Sequence, residues 1–167
     1  MEHEAFRKDV SLNFLVNQIV RNHLEWNRFE DSAGMMPFPK GMFLHMIEMV
    51  TRLQSDEENA RHPDIDRIAY KAAGMVSETL RKFVVLMGKE YNFHTALSSL
   101  REYMKACGID TQHRINGTTH VVIVYHNLGK SWSLFAKELL KLILEDAAKA
   151  RVETHATSDV AVAEVRL

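Results

Sequence analysis

From Leu12 onward the apolar positions recur at spacings of three and four: Leu12, Leu15, Val16, Ile19, Val20 and Leu24. That is the period of a helix with one apolar face. Ser11 stands just before it as a good N-cap, its hydroxyl free to accept from the first-turn amides. The spacing predicts a helix from Leu12 to near Trp26 or Phe29, after a polar opening, MEHEAFRKDV, that offers it little to bury. The segment 31–40, DSAGMMPFPK, interrupts the pattern through Gly34 and two prolines. A second helix is expected over 40–53. Its only polar stripe is His45, Glu48 and Arg52, and a helix apolar on nearly every other side is buried on several faces. The acidic stretch SDEENARHPD, 55–64, then predicts a connection, dividing a helical segment 1–54 from a domain 64–167.

In that domain a long helix is expected over 64–87, with Ile65, Ile68, Ala72, Met75, Val76, Leu80, Phe83, Val84 and Met87 inward. Another is expected over 93–107, burying Phe93, Leu97, Leu100 and Met104 and stopping at Gly108. The period then changes to two. IDTQHRI and TTHVVIVYH around Asn116-Gly117 predict a β-hairpin, because Asn-Gly suits a tight two-residue turn. VVIVY is apolar on both faces, which predicts a central, covered strand. A helix from Ser131 follows, with Trp132, Phe135, Leu139, Leu140, Ile143 and Leu144 inward. RVETHAT and VAVAEVRL around Ser158-Asp159 close as a second hairpin, which sets Glu153 opposite Glu164. The fold class is α+β: N-terminal helices, then helix, β-hairpin, helix, β-hairpin, with an antiparallel sheet covered by helices.

The stretch DVSLNFLVNQIVRNHLEW resembles the second helix of ribbon-helix-helix (Arc/MetJ/CopG-type) proteins, through Ser11, Leu12, Asn13, Leu15, Val16, Ile19 and Val20. The resemblance implies that this helix pairs with its twin across a two-fold axis. Leu12, Leu15, Val16, Ile19 and Val20 would then form the dimer seam, and Arg7, Lys8 and Arg21 (with Arg28 further on) the nearest phosphate contacts. In that family DNA is read by a β-ribbon ahead of a preceding helix. Only ten residues precede Ser11 here, too few for both, so MEHEAFRKDV is expected to be the tail of the first helix. The resemblance therefore bears on dimerisation more than on DNA reading. The longer run, through GMMPFPK and HNLGKSWS, is similar to archaeal proteins of unknown function that fuse such a start to an α+β domain.

Composition changes this picture little. A formal charge of −1 over 167 residues advertises no polyanion partner for the whole chain. The single Cys107 leaves no internal disulfide, and there is no leader and no long apolar run, so a cytoplasmic protein without membrane contact is expected.

Candidate chemistry is sparse. With Asn116-Gly117 as the loop, His113 would face His120 directly. Two histidines fall short of the three or four ligands of a zinc site, so no metal is expected. HNLGKS places Gly129, Lys130 and Ser131 at a helix start, a weak anion site, but Val124 stands where a phosphate loop needs glycine. Cys107, at a helix C-terminal end, is not activated as a nucleophile. No cofactor or catalytic motif emerges, so the chain reads as non-enzymatic.

The methionines offer a second class of function. Met42, Met46, Met75 and Met87, with His45, could line an apolar pocket for a small ligand or haem, in a sensor acting through a protein partner. The element order resembles, at the level of fold, haem-NO-binding and vinyl-reductase-type sensor domains.

Overall fold

The computed structural model describes residues 1–24 and 65–167. The helix expected over 40–53, the connection 55–64, and Met42, His45 and Met46 lie outside the described residues. The chain divides into two compact units, Met1–Met36 and Pro37–Leu167. Each is described by itself.

The first unit opens with a short helix, α1 (Glu2–Arg7). Asp9 stops it in the left-handed region, at φ 52°. There the Val10 amide donates to the Ala5 carbonyl at 3.0 Å and the Asp9 amide to the Phe6 carbonyl at 3.1 Å. This is a Schellman closure with aspartate in the place glycine usually takes. Ser11 then starts α2 (Leu12–Asn22) as expected, its Oγ accepting from the Phe14 amide at 3.1 Å. A polar opening thus becomes a helix because its turn satisfies both helix ends within three residues.

The described part of the second unit begins with α3 (Ile65–Leu86) and α4 (Phe93–Ala106). Asn92 and Thr95 close a capping box on α4: Asn92 Oδ1 accepts from the His94 and Thr95 amides, each at 3.1 Å, and Thr95 Oγ1 accepts from the Asn92 amide at 3.0 Å. Gly108, at φ 67°, ends that helix. Strands β1 (Asp110–Asn116) and β2 (Thr119–Tyr125) follow, then α5 (Lys130–Ala148), β3 (Val152–Ala156) and β4 (Val160–Arg166). All neighbouring strands are antiparallel, in the order β1-β2-β4-β3. The α+β class and the helix, hairpin, helix, hairpin order of this half are therefore those the sequence predicts. Among the described residues no helix is long and apolar enough to cross a membrane.

The core lies between the sheet and the helices. Trp132, Ala136, Leu139, Leu140, Ile143 and Leu144 of α5 meet Val122 and Val124 of β2, Val152 of β3, and Ala161, Ala163 and Val165 of β4. The two alanines keep β4 low, so that a helix rich in leucine can pass over it without overpacking. Phe93, Leu97, Leu100 and Met104 of α4 extend the same core, and Ala73 and Leu80 join it from α3. An ion pair from Arg81 to Asp146 at 3.0 Å ties α3 to α5 at the surface, where such pairs contribute little.

Three expectations are corrected. The face of α3 is rotated: Ala69, Ala73, Leu80, Phe83 and Val84 are buried, while Ile68 and Met75 are exposed, Met75 by 73%. Small Ala69 and Ala73 allow closer helix contact than Ile68 and Met75 would, so they face inward. The first hairpin turns on Gly117-Thr118 rather than Asn116-Gly117, so Asn116 pairs with Thr119. In this register glycine alone takes a positive φ, 61°, and Asn116 avoids the left-handed cost a type I′ turn imposes. VVIVY is central but covered on one face: Val122 and Val124 are buried, whereas Val121 and Ile123 stay part-exposed and Tyr125 exposed. The second hairpin keeps the expected Ser158-Asp159 loop, with Glu153 opposite Glu164.

Leu140 has no exposed surface and sits at the centre of the α5 contact. Leu140→Ala is expected to lower unfolding stability by about 2–5 kcal/mol, the cost of a buried cavity, read from urea denaturation.

Candidate functional site

The apolar positions of α2 fall within one arc at 100° per residue: Leu15, Ile19, Leu12, Val16 and Val20 in order around the helix. Their fates differ. Leu15 is 1% exposed and closed off inside its own chain, and Val16 is half-buried. Leu12, Ile19 and Val20 stand 40%, 46% and 50% exposed, with Leu24 beside them also exposed. A capped, regular helix thus shows water a contiguous apolar stripe next to the one leucine its own chain covers. Isolated exposed leucines are ordinary, but a stripe at helical spacing is the form a helix–helix seam takes before its partner arrives.

The three basic residues expected to meet phosphate sit around this unit without forming a patch. Arg21 is nine positions from Leu12, half a turn round, on the side of α2 away from the stripe. Arg7 ends α1. Lys8 is engaged by Glu4 at 2.9 Å, and that ammonium holds the Glu4 carboxyl below its ordinary range. Across residues 1–24 Arg7, Lys8 and Arg21 are matched by Glu2, Glu4 and Asp9. Phosphate affinity rises with the number of uncompensated cations, and here there is no local excess.

In the sheet, His113 and His120 do meet, by a different route from the one expected. The slipped register pairs His113 with Val122 and His120 with Ile115, so the two histidines are diagonal neighbours on the helix-facing side. Their rings stack with centroids 5.1 Å apart, and His113 Nε2 lies 3.0 Å from His120 Nδ1, one nitrogen donating and the other accepting. Phe93 sets its ring edge-on to His120 at 4.8 Å. Partial burial lowers the His113 pKa from its ordinary 6.5, and the nearby charges of His120, Arg101 and His94 act the same way. Two nitrogens could grip a metal ion, but among the described residues no group of three His, Cys, Asp or Glu is placed to hold one.

The start of α5 holds a network that sequence reasoning missed. His126 is 1% exposed, just past β2. The Leu128 amide donates to its Nδ1 at 3.0 Å, which leaves Nε2 as the protonated nitrogen, donating to Ser133 Oγ at 3.0 Å. The Ser133 hydroxyl in turn donates to the Gly129 carbonyl at 3.2 Å. Trp132 lies against the imidazole, ring centroids 4.4 Å apart. Gly129 is the N-cap, at φ 82° and without a side-chain cap. The turn from β2 into α5 is therefore closed by the buried histidine. The signal was a histidine three residues before the glycine of a helix start, with serine and tryptophan in its first turn. Gly129, Lys130 and Ser131 do stand together at the open first turn of α5, where amides favour anions in general.

Of the residues expected to line an apolar pocket, Met75 and Met87 lie among the described residues. Met75 is exposed and Met87 half-buried. A cavity of about 310 Å³ at the α4–β1 corner is lined by Arg101, Glu102, Lys105 and Asp110 among others, and is polar. Cys107 is the C-cap of α4; burial pushes its thiol up, against a smaller opposing effect of its hydrogen bond with Tyr103. That agrees with an unactivated thiol.

No protein-family model and no curated protein matches this chain.

Two outcomes are expected from the histidines. Because His113 titrates below 6.5 in the folded chain, the unfolded chain binds its proton first as pH falls. Stability from this group is complete above about pH 7 and is lost on descending from 6.5 toward the lower folded value. Urea midpoints at pH 7.5, 6.5 and 5.5 should show that fall, and His113→Gln should flatten it. His126→Leu leaves the Leu128 amide buried without its acceptor and should cost about 1–3 kcal/mol by the same measurement.

Proposed function

We propose that this chain is a cytoplasmic, non-enzymatic regulator that works as a homodimer, pairs through α2, and is related to the ribbon-helix-helix transcription factors. The observation that carries the reading is the exposed stripe Leu12, Ile19 and Val20 on a helix whose cap and neighbour are fully formed. Burying three such side chains on each copy contributes several kcal/mol before the cost of association. The α1–turn–α2 arrangement supports the same relation, since the family joins two helices by a tight turn before a Ser-Leu-Asn start. The four-stranded unit is then the regulatory half.

The balance of charge around α2 weighs the proposal toward pairing. In the family the bases are read by a ribbon, and among residues 1–24 there is no strand. DNA contact is accordingly the secondary part of the reading, resting on Arg7 and Arg21.

Ile19→Asp is the test. Ile19 is exposed in the single chain, so the charge is tolerated there and penalised only in a seam, where it would be buried unpaired. The variant should keep its helical circular dichroism and lose the α2 contact, at least about 100-fold weaker, so that sedimentation shows a smaller assembly than wild type. Leu15→Asp, buried in its own chain, should instead unfold. An Ile19→Asp variant that assembles like the wild type would overturn the proposal.

A further inference from the structure

The face of the sheet turned away from α4 and α5 carries alternate residues of every strand. On the two central strands these include Val121, Ile123 and Tyr125 of β2 beside Val160 and Val162 of β4, directly paired as Ile123–Val162 and Tyr125–Val160. All five keep part of their surface in water. Five contiguous apolar side chains in the middle of a sheet are the composition of an interaction surface.

The margins are charged, with Asp110 and Arg114 on β1 and with Glu164 and Arg166 on β4 beside Glu153 on β3. One row across the sheet runs from Arg114 on β1 through Val121 on β2 and Glu164 on β4 to Glu153 on β3. Glu153 and Glu164 are directly opposed, an unfavourable pairing of like charges. Among the described residues neither carboxylate has a salt-bridge partner. At the other end Arg114 donates to Gln112 Oε1 at 2.9 Å and meets no carboxylate. In this one row the sheet thus presents an unpaired cation at one edge and two carboxylates without an ion pair toward the other, with the apolar centre in the rows beside it.

We infer that this face is a second self-association surface, on which another copy of the chain packs sheet to sheet. A two-fold axis parallel to the strands, between β2 and β4, lays β1 of one copy over β3 of the other. Arg114 of each copy then stands over Glu153 of the other and Gln112 over His155, while Glu164, with Arg166 next to it on the same face of β4, stands over Val121. The valines and Ile123 interleave between sheets about 10 Å apart. No row sets like charges against each other. It is this return of the charge pattern onto itself that selects a second copy as the occupant. The observation is separate from the exposed stripe of α2 and does not depend on it.

The test mixes charge-reversed chains. Full-length Arg114→Glu and Glu153→Arg variants are prepared separately, one isotopically labelled, and combined in equal amounts for native mass spectrometry. Both sites are exposed, so each variant should unfold at the wild-type urea concentration or above it. Each alone should associate more weakly than wild type, because its paired contacts become like-charged. In the mixture the ratio of mixed to like-paired species should exceed random mixing by about tenfold. Arg114 and Glu153 lie on opposite edges of one sheet, about 14 Å apart, so that recovery cannot arise within a chain. Assembly through α2 alone, or a different protein covering this face, would mix the variants at random with unweakened association. Either would overturn the inference, whatever Ile19→Asp does.

Discussion

The contact on which the larger unit depends is that of α5 with β4. The chain leaves β2, crosses the sheet as a helix, and returns as β3 and then β4, which inserts beside β2. That insertion requires a helix carrying Leu139, Leu140, Ile143 and Leu144 to lie over strands without collision. Ala161 and Ala163 make the room, both fully buried. Among the described residues the rest of the unit is arranged about this layer: α4 and α3 complete the core from the helical side, and the opposite side of the sheet keeps its apolar centre part-exposed.

The turn that launches α5 serves the same layer. A helix that must start at a fixed height above β2 needs its first turn held, and the glycine at its N-cap supplies no side chain to do so. His126 takes over, accepting from Leu128 and donating to Ser133. A buried, fully satisfied polar network of this kind fixes one geometry where apolar residues would allow several. The His113–His120 pair stands at the other end of the same strand, packed against Phe93 of α4. Histidine thus locks the β2 strand to helices at both ends.

Much of this architecture was legible in the order of residues. The change of period from three-and-four to two at Ile109, Gly108 as a helix stop, and Ser158-Asp159 as a hairpin loop each have local physical causes, and each is found. What was not legible depends on packing between elements. The inward face of α3 keeps the expected Leu80, Phe83 and Val84, but Ala69 and Ala73 are buried where Ile68 and Met75 were expected. The first hairpin slid by one residue because glycine alone bears the positive φ in the new turn. The His126 network joins a strand end to a helix start, which no single period announces. For the candidate site, the stripe on α2 was readable because it is local, while the division of labour between buried Leu15 and exposed Ile19 was not.

Two surfaces, one on each unit, present apolar side chains at regular spacing to water, and both are proposed as places where copies of the chain meet. Native mass spectrometry of the purified, untreated protein addresses that most directly, because a single spectrum reads the assembly and any adduct together. A dimer or a higher even-numbered assembly is the predicted result. A monomer at concentrations well above those of a stable regulator in the cell would contradict the account, and would mean that both apolar faces are covered by something other than this chain.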